Sequence, residues 1–195
     1  RSKFLTAYQD AKYAARYTAL VEKVRRIEEK IGGSALTEAV ARYFFKLMAY
    51  KDEYEVARLY AETNFSEKIA NQFEGDYKLN FYLAPPLFSK KDANGHLRKK
   101  QYGPWIFTTF KWLAKLRKLR GTPLDIFGYS KERKIERALI IEYEEMMNTV
   151  LGKLTAENLA TAVALASIPE EIRGYGHVKE EALLKARARQ ASLLE

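Results

Sequence analysis

The chain has 195 residues, of which 47% are hydrophobic and 30% are charged, a balance typical of a folded globular protein. It has no cysteine and only two histidines, which excludes disulfide frameworks, cysteine-held zinc or iron–sulfur sites and multi-histidine metal centres from this sequence. No apolar run approaches the roughly 20 residues that span a bilayer, and no signal-peptide pattern opens the chain. We therefore expect a cytoplasmic protein that does not contact a membrane.

The net charge of +9 is concentrated in one segment. Residues 86–120 carry ten Lys or Arg and one Asp, which leaves 24 of the 34 basic and 24 of the 25 acidic side chains for the rest of the chain. Such a segment attracts nucleic acid, an anionic ligand or an acidic protein, or it forms a basic surface that only aids solubility. The candidate anion- or partner-binding residues are six from this segment and one histidine after a glycine turn: Arg98, Lys99, Lys100, Lys111, Lys115, Arg120 and His177.

Apolar residues recur at three- and four-residue intervals along most of the chain, which predicts amphipathic helices. Gly32–Gly33 ends the first of them, and Ser34 is a predicted N-cap of the second, which continues with or without a break to Ala61. Ser130 is another predicted N-cap. We expect about six helices, and the segments with helical character are 13–31, 34–61, a short 66–73, 104–120, 130–154, 155–168 and 177–194.

Residues 77–103 have a different pattern. Aromatic residues alternate in part over 77–84, Pro85–Pro86 ends this run, and Asn94–Gly95 is a strong tight-turn pair. We predict a small β-hairpin or extended arm here, with a mobile tip over Lys90–Lys100. The fold class is therefore mainly α, a single helical domain over residues 1–195 with one small β-hairpin.

The helix that follows Pro104 is predicted to have two faces. Trp105, Trp112 and Leu116 fall in phase, and we expect this stripe to be core, because two exposed tryptophans would leave a large apolar area in water. The lysines of the segment lie on the other side. The alternative is a surface on which the aromatic rings stack with the bases of single-stranded nucleic acid.

No motif in the sequence predicts catalysis. The phosphate loop, the nucleophile elbow and the complete dinucleotide-binding fingerprint are absent. Glu142, Glu144 and Glu145 form an acidic cluster without any Glu-x-x-His motif, and a solvated helix face is the better interpretation. We assign no catalytic, cofactor-binding or metal-binding residue.

Six short strings, in their order and spacing, resemble one enzyme family. They are YKDEYEVARLY (50–60), FYLAPPL (81–87), GPW (103–105), LRGTPLDIFGYS (119–130), ER (132–133) and IRGYGHVK (172–179). Together they look like the C-terminal region of the fused indolepyruvate ferredoxin oxidoreductases, which are 2-oxoacid:acceptor oxidoreductases. The resemblance covers nearly the whole chain and is strongest over 50–179.

The resemblance implies an enzyme that oxidatively decarboxylates arylpyruvates such as indolepyruvate. Such an enzyme uses thiamine diphosphate and iron–sulfur clusters and passes electrons to ferredoxin or a similar acceptor. The modules that hold these cofactors lie N-terminal to the region resembled here, and the present sequence has neither cysteine nor a Gly-Asp-Gly thiamine motif. No catalytic residue of the family therefore corresponds to a position in this chain.

We accordingly expect a C-terminal accessory domain that is not catalytic by itself, and a first residue other than Met agrees with a fragment. Its expected partners are the catalytic modules of the same polypeptide or a second subunit. One alternative is a stand-alone basic helical module that binds nucleic acid, although nucleic acid is a less favoured partner than protein. The other is a purely structural dimerisation domain.

Overall fold

The structure is a computed structural model that describes residues 1–75, 77–83, 98–174 and 176–194. Over these ranges it is mainly helical, with nine α-helices and one two-stranded antiparallel sheet. The predicted fold class is confirmed, whereas the predicted number of about six helices is too low. No helix in the described part of the chain combines the length and the apolar character needed to cross a membrane.

The bounds of these elements follow the sequence pattern closely in most places. The helices are α1 (Ser2–Tyr8), α2 (Ala11–Glu28), α3 (Ala35–Met48), α4 (Glu53–Glu62), α5 (Phe65–Ala70), α6 (Ile106–Lys115), α7 (Lys131–Gly152), α8 (Leu159–Ser167) and α9 (His177–Leu194). The strands are β1 (Phe81–Leu83) and β2 (Lys100–Tyr102), and 3-10 turns follow α6 and α8. Compared with the seven helical segments of the sequence pattern, the two additional helices are α1, which precedes the first segment, and α4, which is separate from α3.

The chain divides into two compact units. Unit 1 comprises Arg1–Tyr50 and Ser130–Glu195, and unit 2 comprises Lys51–Tyr129. The expectation of one domain over residues 1–195 stays a prediction, and each unit is described by itself.

Unit 1 is a helical unit in which α3 packs against α2, α7 and α8. The Phe44 ring stacks on Tyr17 at 6.0 Å and on Tyr143 at 5.6 Å between ring centroids. The Tyr143 hydroxyl donates a 2.9 Å hydrogen bond to the carbonyl oxygen of Ala166, so its polar end is satisfied inside the core. Burial raises the pKa of the Tyr143 phenol, which therefore stays protonated.

The beginning of α3 is capped differently from the prediction. Ser34 occupies the N-cap position, but its side chain accepts no capping hydrogen bond. The buried carboxylate of Glu28 caps the helix instead. One of its oxygens accepts a 2.8 Å hydrogen bond from the backbone N–H of Leu36, and the other accepts one of the same length from the backbone N–H of Thr37. The carboxylate thus satisfies two donors that the first helical turn leaves unpaired.

Unit 2 is built around the packing of α4 against α6. Its core consists of Ala57, Phe81, Ile106, Phe110 and Ala114. The paired strands bring the hairpin to this core, with β1 and β2 in an antiparallel register that places Phe81 opposite Tyr102. The two strands confirm the predicted hairpin, but residues 90–97 of its predicted mobile tip (90–100) lie outside the described residues.

Candidate functional site

The candidate site of unit 2 is the outward face of α6, which comprises Trp112 and Lys115 together with the flanking residues Trp105 and Leu116. This face reverses one prediction. Trp105 and Trp112 are 61% and 67% exposed, and Leu116 is 47% exposed. The expectation that this stripe is core is therefore wrong. The stripe that does enter the core is Ile106, Phe110 and Ala114, which repeats every four residues on the opposite side of the helix.

The packing of α6 against α4 explains which face of α6 is buried. Tyr60 of α4 stacks on the Phe110 ring at 5.1 Å, and the two small residues Ala57 and Ala114 are buried in the same cluster. Small side chains let two helices approach closely, and a tryptophan at the position of Ala114 would not fit the same spacing. The larger side chains are consequently left on the solvent side.

Two exposed lysines of α6 lie beside its aromatic rings. The ammonium nitrogen of Lys115 lies 5.2 Å from the Trp112 ring centroid, and that of Lys111 lies 5.1 Å from the Phe107 ring centroid. Both distances are in the range of cation–π attraction, which holds each amino group near its ring at the surface. The outward face therefore combines apolar area with fixed positive charge.

The remaining predicted residues are distributed over both units. Arg98, Lys99 and Lys100 are exposed at and just before the start of β2 in unit 2. His177 is also exposed, at the first residue of α9 in unit 1. The five predicted cations of unit 2 other than Arg120 are thus all exposed, while His177 belongs to the other unit.

Arg120 has a different role from the one predicted. It is 4% exposed, and its guanidinium donates to the two carboxylate oxygens of Asp52 at 2.6 and 2.9 Å. Asp52 also accepts a 2.8 Å hydrogen bond from the backbone N–H of Glu55 and so caps α4. Because its charge is paired with a buried carboxylate, Arg120 is not available to bind an anion at the surface.

A second buried carboxylate shapes the loop between Gly121 and Tyr129. Asp125 accepts hydrogen bonds from the backbone N–H groups of Gly121 and Gly128 at 2.8 and 2.9 Å. It also accepts a 3.2 Å hydrogen bond from the hydroxyl of Tyr54. Burial of this hydroxyl and the nearby carboxylate both raise the pKa of Tyr54. The large apolar side chains that this loop exposes are Leu124, Ile126 and Tyr129.

Sequence reasoning missed this buried network, although its members lie in the strings that carry the family resemblance. Asp52 and Tyr54 belong to the 50–60 string, while Arg120 and Asp125 belong to the 119–130 string. The structure brings the two strings together within unit 2. An Asp directly before a helical run was the available signal for Asp52, since Asp is a preferred N-cap residue.

Unit 1 contains a cavity that is small for an organic ligand. A cavity of about 50 Å³ is lined by α7 and the start of α9, including Arg133, Glu136 and Leu183, and the Lys179 ammonium pairs with Glu136 across it at 2.5 Å. Sites for organic ligands are typically several hundred Å³. Among the described residues, no group of three or more His, Asp or Glu side chains is arranged to hold a metal ion.

Comparison with known proteins gives one match. A family model described as a family of unknown function (DUF6537) covers residues 1–192 of the 195. No curated protein and no solved structure matches the chain at a significant level. Because the family model covers almost the entire sequence, the chain belongs to the family of unknown function DUF6537.

Proposed function

We propose that this chain is the C-terminal accessory domain of a fused 2-oxoacid oxidoreductase similar to indolepyruvate ferredoxin oxidoreductase, and that it binds a partner rather than catalyses. In the complete cytoplasmic enzyme, thiamine diphosphate and iron–sulfur clusters would be held by other modules, and ferredoxin or a similar carrier would accept the electrons. The six strings quoted above support the family context, and the outward face of α6 supports the binding role.

The observation that carries the binding role is the exposure of both tryptophans of the chain, with the Lys115 ammonium group over the Trp112 ring. Monomeric proteins bury most of their large aromatic area, and Trp is enriched at the centres of protein interfaces. A positive rim attracts a partner of opposite charge and accelerates its association. This face therefore suits assembly with an acidic module or subunit.

Binding of single-stranded nucleic acid is the second candidate function. The sequence analysis expected both tryptophans in the core, and their exposure makes stacking with bases sterically feasible. Aromatic rings stack with bases while lysines neutralise phosphates. Affinity for a nucleic acid falls linearly with salt on logarithmic axes, with a slope set by the number of phosphates contacted. A salt titration with an oligonucleotide therefore tests this candidate directly.

Reversing the charge of Arg98, Lys99 and Lys100 to Glu tests the basic segment. All three are exposed, so we expect the free energy of unfolding of the isolated chain to change by no more than about 0.5 kcal/mol per site. In the full-length enzyme, the same change should weaken subunit assembly or slow reduction of an acidic acceptor at low salt. The difference should shrink as salt is added, because ions screen exposed charges.

A matched control reverses Lys3, Lys12 and Lys30, which are exposed in unit 1 and alter the net charge equally. This control should leave assembly and acceptor reduction unchanged. Full assembly and activity of the Arg98, Lys99 and Lys100 variant at low ionic strength would mean that the basic segment is only a solvated surface.

A further inference from the structure

The exposed apolar residues of α6 and of the two positions that flank it form a seam with a defined repeat. Trp105 and Trp112 are seven residues apart, and Leu116 lies one turn beyond Trp112. At 1.5 Å of rise per residue, the two tryptophans are separated by roughly 10 Å along the helix axis. Seven residues is also the interval at which side chains recur along the contact line of two helices packed side by side.

The lysines lie next to this seam. Lys115 follows Trp112 by three residues, and its ammonium group lies over the Trp112 ring, while Lys111 precedes Trp112 directly. A helix packed lengthwise on the seam would bring its flanking side chains near both ammonium groups. Carboxylates at those flanking positions would complement the charge, whereas lysines or arginines there would be repelled.

We propose that the outward face of α6 binds an acidic amphipathic helix of a partner protein. Apolar residues of that helix contact Trp105, Trp112 and Leu116, and its Glu or Asp side chains pair with Lys111 and Lys115. This inference rests on the proposed function, since it names the partner chemistry of the same face. Charge complementarity selects the occupant, because Lys111 and Lys115 are both exposed on this helix.

The composition of the seam favours a helix over a nucleic-acid strand, because the exposed Leu116 offers a base no ring to stack on. Residues seven apart on a partner helix have the same rise of roughly 10 Å and can contact both tryptophans at once. Three base steps of about 3.4 Å span nearly the same distance along a strand, so the spacing of the two rings alone does not distinguish the two kinds of partner. Single-stranded nucleic acid is therefore kept as an outcome of the test.

The test uses the full 195-residue chain and two synthetic tryptophan-free helical peptides. Both have three heptads with leucine at the two seam positions, and their flanking positions are Glu in one peptide and Lys in the other. Because the chain contains only two tryptophans, both on this face, their fluorescence reports binding there. A single-stranded dT oligonucleotide is titrated in parallel.

We expect the Glu-flanked peptide to bind saturably and to shift tryptophan emission to shorter wavelength, with affinity falling as salt is added. Trp112→Ala should weaken binding roughly tenfold or more, as for a central interface residue, with Trp105 as the remaining reporter. The double variant Lys111→Glu, Lys115→Glu should prefer the Lys-flanked peptide. Far-UV circular dichroism confirms that each variant is folded before titration.

Three results would overturn the inference: no saturable binding of the Glu-flanked peptide, equal affinity for both peptides, or tighter binding of the oligonucleotide than of the Glu-flanked peptide. A double variant that still prefers the Glu-flanked peptide would overturn it as well. The proposed function is judged separately, by the assembly of full-length enzyme after reversal of Arg98, Lys99 and Lys100. An effect there without a peptide preference here would refute this helix partner and leave the accessory role standing.

Discussion

Phe110→Ala should lower the free energy of unfolding by about 3–5 kcal/mol, the usual penalty for removing a buried large aromatic ring. Phe110 is 5% exposed, stacks on Tyr60 and meets the Phe81 ring edge-on at 5.6 Å. Alanine at this position would leave a cavity beside the two neighbouring rings. Urea unfolding followed by far-UV circular dichroism measures the change without depending on tryptophan.

Trp112→Ala is the matched control, since it removes a still larger aromatic side chain from the same helix. Trp112 is 67% exposed, and its loss should change the free energy of unfolding by about 0.5 kcal/mol or less. Equal penalties for the two variants, or a larger one for Trp112→Ala, would show that α6 packs with its other face inward.

Asp52→Ala is expected to destabilise the protein by about 3–5 kcal/mol, because it leaves the buried Arg120 guanidinium without its bidentate carboxylate. The same change removes the side-chain acceptor at the beginning of α4, which contributes about 1 kcal/mol in comparable helices. Equilibrium unfolding in urea measures the sum.

Two further variants separate charge burial from packing. Glu22→Ala breaks an ion pair with Arg25 that is half exposed on both sides, and it should reduce stability far less than Asp52→Ala does. Adding Arg120→Met to Asp52→Ala should restore part of the lost stability, since no buried charge then remains from the pair. If Asp52→Ala were as mild as Glu22→Ala, the buried pair would not stabilise unit 2.

Helix positions could largely be predicted from the sequence, because apolar spacing and glycine breaks are local signals. The predicted N-cap Ser130 does accept a hydrogen bond from the backbone N–H of Arg133, and α9 begins and ends where expected. The cap of α3 could not be predicted in this way. Glu28 reaches Leu36 only because the turn after α2 brings the carboxylate back to the start of α3.

The face of α6 illustrates a second limit. Its sequence contains two apolar stripes, one through Trp105 and Trp112 and one through Phe110 and Ala114, and area alone favours burying the larger one. The choice depends on the fit of α6 against α4, whose Ala57 lies far away in sequence. Likewise, the partner of Arg120 lies 68 residues away, so the basic composition of residues 86–120 overstated the exposed charge.

The exposure of Trp105 and Trp112 is the claim on which the binding proposals depend, and acrylamide quenching of intrinsic fluorescence tests it most directly. The variants Trp105→Phe and Trp112→Phe each leave a single tryptophan to observe. We predict that the single tryptophan of each variant emits at long wavelength in the native state. Acrylamide should quench it nearly as strongly there as in the urea-unfolded state. Short-wavelength emission and protection from acrylamide that disappear on unfolding would contradict an outward-facing aromatic surface on α6.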